Sequence, residues 1–280
     1  MGKASELRQL INSGGTLLMP DSYDPLSARI IEKLGFKAVQ CSGYSFALAA
    51  CCPSEAAFGF ERNLALTKSI VEAVQVPVMA DGEDGFGDPP VVAETVRAFV
   101  RAGVAGINIE DQVLGQPAPK RVVERPLMIE KIRAAREAAR QEGQPDLIIN
   151  GRTDALSVAA DRNEGLNESI ARANLYLDAG ADLAFVTGVA TIAEVKILVQ
   201  GVHGPLSIAA GMPNNINTMS IADLKASGVR RVSLPVVAIF STIQALSRTL
   251  VALRDSQDFS LVLQEKLLCS PQDVARLSAK

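Results

Sequence analysis

The sequence predicts a single (β/α)8 TIM barrel. Short apolar runs recur along nearly the whole chain, each rich in residues suited to a strand buried on both faces. Segments of helical period lie between them and often close on glycine. Aromatic residues make up only 4% of a chain that is 48% hydrophobic, and Trp is absent, so Ala, Val, Ile and Leu must do most of the packing. A doubly wound sheet is the rival architecture. It usually carries a Gly-rich first turn, and the first run here leads into "MPDSYDP" instead.

The expected strands are "TLLMP" (16–20), "AVQCS" (38–42), "VPVMAD" (76–81), "GINIE" (106–110), "LIING" (147–151), "LAFVT" (183–187), "LSIAA" (206–210) and "RVSLP" (231–235). Between the first two, "DPLSARIIEKL" places Leu26, Ile30 and Leu34 on one helical face. "PPVVAETVRAFVRAG" opens with prolines and stops at Gly103, the usual asymmetry of helix ends. "ERPLMIEKIRAAREAARQEG" stops at Gly143 and "NEGLNESIARANLYLDAG" at Gly180. "TIAEVKILVQG", "SIADLKASG" and "AIFSTIQALSRTLVALR" complete the series. A short leading helix near residues 5–12 and a helical tail over 255–280 make residues 1–280 one barrel domain.

A length of 280 residues suits one such barrel. Net charge is −3 with acids and bases interspersed, and no basic block argues for a nucleic-acid partner. No apolar run reaches the ~18 residues of a membrane span. "MGKASELRQLINSGG" is charged and amphipathic without a secretory core, so a cytoplasmic location is expected. Cys41, Cys51, Cys52 and Cys269 show no CxxC spacing, which disfavours a zinc site or a disulfide framework. The single histidine, His203 in "GVHGPL", reads as a loop residue. That disfavours Ser-His-Asp, Cys-His and HExxH chemistries.

In a barrel of this kind the active site lies at the C-terminal ends of the strands. Asp81 ends the third expected strand, with Glu83 two residues later, and Glu110 ends the fourth. Carboxylates on adjacent strands converge on one side of the mouth, and an all-oxygen set suits Mg2+ or Mn2+. Arg152, from the fifth, supplies a planar fork for a carboxylate or phosphonate. The grouping points to a metal-held acid whose enolate the cation stabilises. Asp84 and Asp88 read as solvated or capping groups, Asp154 as an ion-pair partner of Arg152, and "GFG" at 85–87 as a sharp turn.

Four stretches together resemble the isocitrate lyase/phosphoenolpyruvate mutase superfamily: "DSYDPLSARIIEKLGFKAVQCSG", "ADGEDGFGDPPVVAETVRAFVRAGVAGINIEDQ", "INGRTDA" and "RANLYLDAGADLAFV". The resemblance covers roughly residues 15–250 in unbroken order. It implies a (β/α)8 barrel, Mg2+, a 2-oxo or 2-hydroxy acid substrate, and homotetramers (dimers of dimers) that exchange C-terminal helices between subunits. It also implies metal ligation by Asp81, Glu83 and Glu110, and substrate contacts at Ser42, Gly43 and Arg152 with Tyr23 and Ser27 nearby. The chain departs from the family's lyases where a K-[KR]-C-G-H motif carries an acid/base Cys. Here "EDQVLGQPAPKRVVERP" keeps Lys120 and Arg121 but has Val122 and Val123 next. A family Asp after the second strand falls on Ser54, with Glu55 as a possible substitute; a strand-six Glu falls near Thr187 and a strand-seven Asn near Ala209.

The reading is therefore a Mg2+-dependent lyase that cleaves a C–C bond of a small 2-oxo or 2-hydroxy carboxylate. Asp81, Glu83 and Glu110 hold the metal, with Asp81 also facing the substrate. Arg152, Ser42 and Gly43 clamp the carboxylate, Tyr23, Ser27 and Thr187 are further contacts, and Lys120 or Tyr44 moves the proton. Phosphonate (P–C) chemistry is the alternative, and a non-catalytic ligand-binding barrel the second.

Overall fold

Eight strands pair in parallel, in sequence order, and the last closes on the first. The computed structural model describes residues 2–115 and 120–278. Its elements are α1 (Lys3–Asn12), β1 (Leu17–Ser22), α2 (Pro25–Lys33), β2 (Val39–Cys41), α3 (Gly43–Ala49), α4 (Glu55–Phe58), α5 (Phe60–Ala73), β3 (Val78–Asp81), α6 (Pro89–Arg101), β4 (Gly106–Glu110), α7 (Arg125–Gln141), β5 (Ile148–Thr153), α8 (Ala155–Val158), α9 (Arg162–Asp178), β6 (Leu183–Val186), α10 (Ile192–Gly201), β7 (Leu206–Ala209), α11 (Ile221–Ser227), β8 (Arg231–Leu234), α12 (Val237–Ser256), α13 (Ser260–Gln264) and α14 (Pro271–Ser278). The sequence predicts a barrel, and the chain folds as one.

Local chemistry explains the helix boundaries. Asp24 and Ser27 form a reciprocal capping box that starts α2, and Thr191 with Glu194 does the same for α10. Pro89 opens α6, where a missing amide hydrogen loses nothing. The expected stops at Gly103 and Gly180 adopt φ of 89° and 113°, a region that side chains with a Cβ avoid.

The barrel interior is layered. Its lower layer is apolar: Leu17, Met19, Met79, Ile148 and Leu183 meet Leu7 and Ile11 of α1. Above it stands a buried polar layer. Arg231, fully enclosed, donates to Ser207 Oγ at 2.8 Å and to Gln40 Oε1, and Asn108 meets Asn150. Outside the sheet, Ile107 and Ile109 pack with Met128, Ile132 and Tyr176 between strands and helices. Burying one such aliphatic side chain stabilises by about 1.5–3 kcal/mol.

Several expected boundaries differ. β1 and β5 each run two residues further than expected, to Ser22 and Thr153, so Asp21 and Arg152 stand within strands rather than after them. Three helices, α3 to α5, fill the β2–β3 connection, where no helical segment stood out. Leu26, Ile30 and Leu34 of α2 do share a face, but it is the outer one, 57%, 39% and 72% exposed; Ala28 and Ile31 face the core. The leading helix begins at Lys3, and the tail region holds the end of α12 followed by α13 and α14. Met1, residues 116–119 of the lid segment and the last two residues of the tail lie outside the described residues.

Candidate active site

A cavity of about 480 Å³ opens at the C-terminal ends of the strands. Its wall on the β2–β5 side is acidic. Asp81 ends β3 and Glu110 ends β4, and the turn between β3 and α6 is zipped onto β4: Gly82 N–H donates to Asn108 O at 3.0 Å and Glu110 N–H to Glu83 O at 2.8 Å. This pairing brings Glu83 beside Glu110. The turn bends through left-handed backbone at Glu83 (φ 50°), Gly85 (85°) and Phe86 (62°). Side chains at such angles cost about 1–3 kcal/mol each, so the neighbourhood must hold them. Lys131 of α7 does so, donating Nζ to Asp84 O at 2.6 Å, while Asp84 Oδ1 accepts from Phe86 N–H at 2.9 Å.

Asp81, Glu83 and Glu110 are 7%, 3% and 1% exposed, and each offers an oxygen within 4.8 Å of the others. Burial, and then the charges of Asp81, Glu55 and Glu110, push Glu83 well above the usual carboxylate range. Burial pushes Glu110 up too, against the pull of Arg152. Glu110 Oε2 lies 2.5 Å from Arg152 Nη1 but off the hydrogen-bond axis, and it accepts no hydrogen bond. Gly43 completes the cradle: a Cβ there would sit 1.6 Å from Glu83 Oε1. Three buried carboxylates, mutually repelling and incompletely partnered, fit a hard divalent cation, and they contain no soft ligand.

The remaining expected residues fall in different places. Arg152 lines the cavity, its guanidinium held between Glu110 and Asp154, with Nε 2.8 Å from Asp154 Oδ2. Asp154 is thus its ion-pair partner, as the sequence predicts. Ser42 lines the cavity and caps α3, accepting from Ser45 N–H at 3.2 Å; the hydroxyl hydrogen stays available. The Gly43 amide, expected to meet substrate, donates to Asp81 Oδ2 at 2.9 Å. Tyr44, Lys120 and Thr187 also line the cavity. Tyr23 and Ser27 do not. Ser27 is engaged in its capping box, and Tyr23 packs beside the Phe46 cluster with its hydroxyl 2.9 Å from Thr242 Oγ1. His203 lies on the surface, 3.1 Å from Asp178.

Three features of the site carry no role in the sequence reading. Asp21 is 5% exposed, lines the cavity and accepts from Ser233 Oγ at 3.0 Å; burial raises its pKa to about 7. Gln112 lines the cavity with its buried Oε1 unpartnered. Asp111 faces away from the cavity and accepts from Thr153, Tyr176, Arg172 and the Asp154 amide. The acidic letters were visible in the sequence, but the inward or outward parity that separates their roles depends on where each strand ends. Glu55, the possible substitute for the family Asp, does line the cavity, within electrostatic reach of Asp81, Arg152 and Lys120.

The phosphoenolpyruvate phosphomutase family model matches residues 7–254. The chain is 30% identical over 256 residues to a 2-methylisocitrate lyase of Halalkalibacterium halodurans, covering 90% of this chain and 82% of that one. It is 30% identical over 260 residues to a 2,3-dimethylmalate lyase of Eubacterium barkeri, covering 91% and 87%. Among solved structures, an oxaloacetate acetylhydrolase in complex with its product oxalate superposes with a TM-score of 0.84 at 27% identity, covering 99% of this chain and 97% of that one. With the barrel, the acidic trio and these matches in hand, the chain belongs to the isocitrate lyase/phosphoenolpyruvate mutase superfamily, as a lyase-like enzyme.

Proposed function

We propose that the protein is a Mg2+-dependent lyase cleaving a C–C bond of a small 2-oxo or 2-hydroxy carboxylic acid. The observation that carries this reading is the buried Asp81–Glu83–Glu110 cluster, incompletely partnered at Glu110, of which Asp81 lines the cavity together with Arg152. Asp81, Glu83 and Glu110 would hold Mg2+, with Mn2+ as a substitute, and the ion would supply positive charge to stabilise an enolate.

The chain's own groups orient the reactants. Asp81 is fixed by the Gly43 and Glu83 amides, at 2.9 and 3.4 Å. Arg152, clamped by two carboxylates, presents its charge to the substrate carboxylate without needing to reorganise. Ser42 donates its free hydroxyl hydrogen to the same carboxylate, and Thr187, just past β6, borders the substrate's other end. In a retro-aldol cleavage of a 4-hydroxy-2-oxo acid, Lys120 or Tyr44, which line the cavity, would take the hydroxyl proton as the C3–C4 bond breaks and its electron pair passes into the C2 carbonyl, and would return a proton to C3. For a 2-hydroxy acid the C2–C3 bond breaks and the pair passes to a carbonyl borne by C3. Neither step needs a histidine.

The test is a panel of 2-oxo and 2-hydroxy acids assayed with and without Mg2+, reading the release of a shorter oxo acid. No Mg2+-dependent product from any member would defeat the reading. P–C bond chemistry is the second reading, favoured by the phosphomutase family match; turnover of phosphonopyruvate in preference to the carboxylic acids would select it. Ligand binding without turnover of either panel would select a non-catalytic barrel.

Self-association is part of the proposal. Phe240, Ile243, Leu246 and Leu250 of α12, with Phe259 and Leu263 further along, are exposed, as is the outer stripe of α2. An apolar surface of this extent favours a partner subunit. A homotetramer with exchanged C-terminal helices would cover it, and light scattering on the eluting protein tests that state. Among the described residues no helix is long and apolar enough to cross a membrane.

A further inference from the structure

The cavity has two unlike halves. Asp81, with Glu83 and Glu110 within 4.8 Å of it, and Arg152 stand on the β3–β5 side. The opposite wall, from β6 round to β8 and α12, contributes Phe185, Thr187, Ala209, Met212, Pro235 and Phe240, and among the described residues no lysine, arginine or histidine. We propose that the substrate's end remote from the metal-binding carboxylates is uncharged, so that the enzyme takes small 2-oxo or 2-hydroxy monocarboxylates with a neutral substituent and discriminates against diacids. This rests on the reading of the trio and Arg152 as the site that holds the first carboxylate.

Four observations support it. Arg231 is the cation beneath that wall, but it is fully buried; its donors go to Met19 Sδ, Ser207 and Gln40, and the Phe185 ring lies 5.4 Å from its guanidinium carbon. It has no open path to a ligand. Most polar hydrogens of the wall are also committed; the exposed Asn214 gives one amide hydrogen to Val189 O at 3.4 Å and keeps an uncharged donor. Asn215 gives its amide hydrogens to Val189 O and Ala209 O, both at 3.0 Å, and Thr187 gives its hydroxyl to Thr153 O at 3.3 Å. Ser233 donates to Asp21. Asp21 itself is a carboxyl group nine-tenths buried on the cavity wall; it brings no positive charge to a second substrate carboxylate, and its ionised form repels one. Of the wall's hydroxyls, that of Ser157 is exposed, and a lone hydroxyl suits a neutral group as well as a charged one. A carboxylate moved there from water would lose its hydration and gain no charged partner.

The experiment is competition calorimetry on the full-length protein saturated with Mg2+, using oxalate as the reference ligand. Oxalate has no remote substituent, so its binding tests the carboxylate site alone. The competitors are 2-hydroxybutyrate and malate, each in both configurations; they have equal carbon count and differ in a methyl against a carboxylate. The expected result is Mg2+-dependent oxalate binding, displaced at least tenfold more strongly by the better 2-hydroxybutyrate enantiomer than by either malate. Malate binding as tightly as 2-hydroxybutyrate, while oxalate binds, overturns this inference and leaves the proposed function standing. Failure of oxalate to bind with Mg2+ overturns both. In Met212→Lys, which puts a cation on the half-buried wall, the malate to 2-hydroxybutyrate preference should move at least tenfold toward malate relative to oxalate. No movement would also count against the inference.

Discussion

Glu110 and Asp111 are adjacent in sequence, both almost wholly buried, and built for opposite ends. Glu110, at the end of β4, sits with Asp81 and Glu83, touches Arg152 and keeps one oxygen without a hydrogen bond. Asp111 points outward between strands and α9. There it accepts from Thr153 Oγ1 and Tyr176 OH at 2.7 Å, Arg172 Nη1 at 3.2 Å and the Asp154 amide at 2.9 Å. A buried carboxylate with all its partners in the chain ties elements together. One left incomplete, among others of like charge, destabilises the chain alone and is kept for what it can bind.

The largest effect should come from the inner group. Glu83→Gln or Glu110→Gln should lower Mg2+-dependent turnover by roughly 10²–10³-fold or more, while circular dichroism stays native and the melting temperature holds or rises. Near wild-type turnover in both variants would erase the distinction. The outer group should behave in reverse. Asp111→Ala leaves Arg172 Nη1, the Thr153 and Tyr176 hydroxyls and the Asp154 amide without their shared carboxylate, though Glu168 still pairs with Arg172 Nε, and the unfolding free energy should fall by about 3–5 kcal/mol in denaturant titrations. A loss below about 1 kcal/mol would show that Asp111 is not the tie its hydrogen bonds describe.

Much of the inner group was legible because the order of strands around a barrel follows the order in the chain. Asp81, Glu83 and Glu110 therefore had to meet once the strands were identified. Parity was harder. β1 and β5 continue two residues past their apolar runs, and that extension sets Asp21 and Arg152 inside the barrel mouth. The outer network was invisible for another reason. Asp111 and Tyr176 are 65 residues apart, and nothing local announces that α9 will carry a hydroxyl to the back of β4. The Gly43 amide was expected at the substrate, but the turn into α3 delivers it to Asp81. Capping residues such as Ser27 look like site residues in sequence because the same small polar groups serve both purposes.

Metal addition sharpens the comparison at intermediate size. The proposed Mg2+ site exists only in the folded chain, so at a hundred times its dissociation constant Mg2+ should stabilise the protein by about 2.7 kcal/mol. The gain should vanish in Glu110→Gln and persist in Tyr176→Phe, which removes a donor from Asp111 and leaves the inner group untouched. An equal Mg2+ gain in Glu110→Gln, read by thermal unfolding, would place the metal elsewhere.

The smallest effect concerns acid. Glu168 lies at the solvent edge of the outer network, paired with Arg125 and with Arg172 Nε at 2.7 Å. The hydrogen bond from Arg125 is the main reason its pKa falls to about 2. A carboxylate whose folded pKa is depressed binds protons less readily in the folded chain than in the unfolded one. Its contribution is therefore present above the unfolded value, near 4.5, and is lost as pH falls toward about 2. Glu83 and Glu110 are shifted upward, so their protonation favours the folded, metal-free chain, and a raw stability curve mixes opposite trends. Subtracting the Glu168→Gln curve from wild type cancels those inner contributions. The difference at pH 7 should be no more than about 1 kcal/mol, because the pair is open to solvent. It should shrink steadily below pH 4.5. A difference that stays flat down to pH 2, measured by denaturant titration without metal, would mean that Glu168 has no ionic part in the network and that Asp111 alone carries the outer tie.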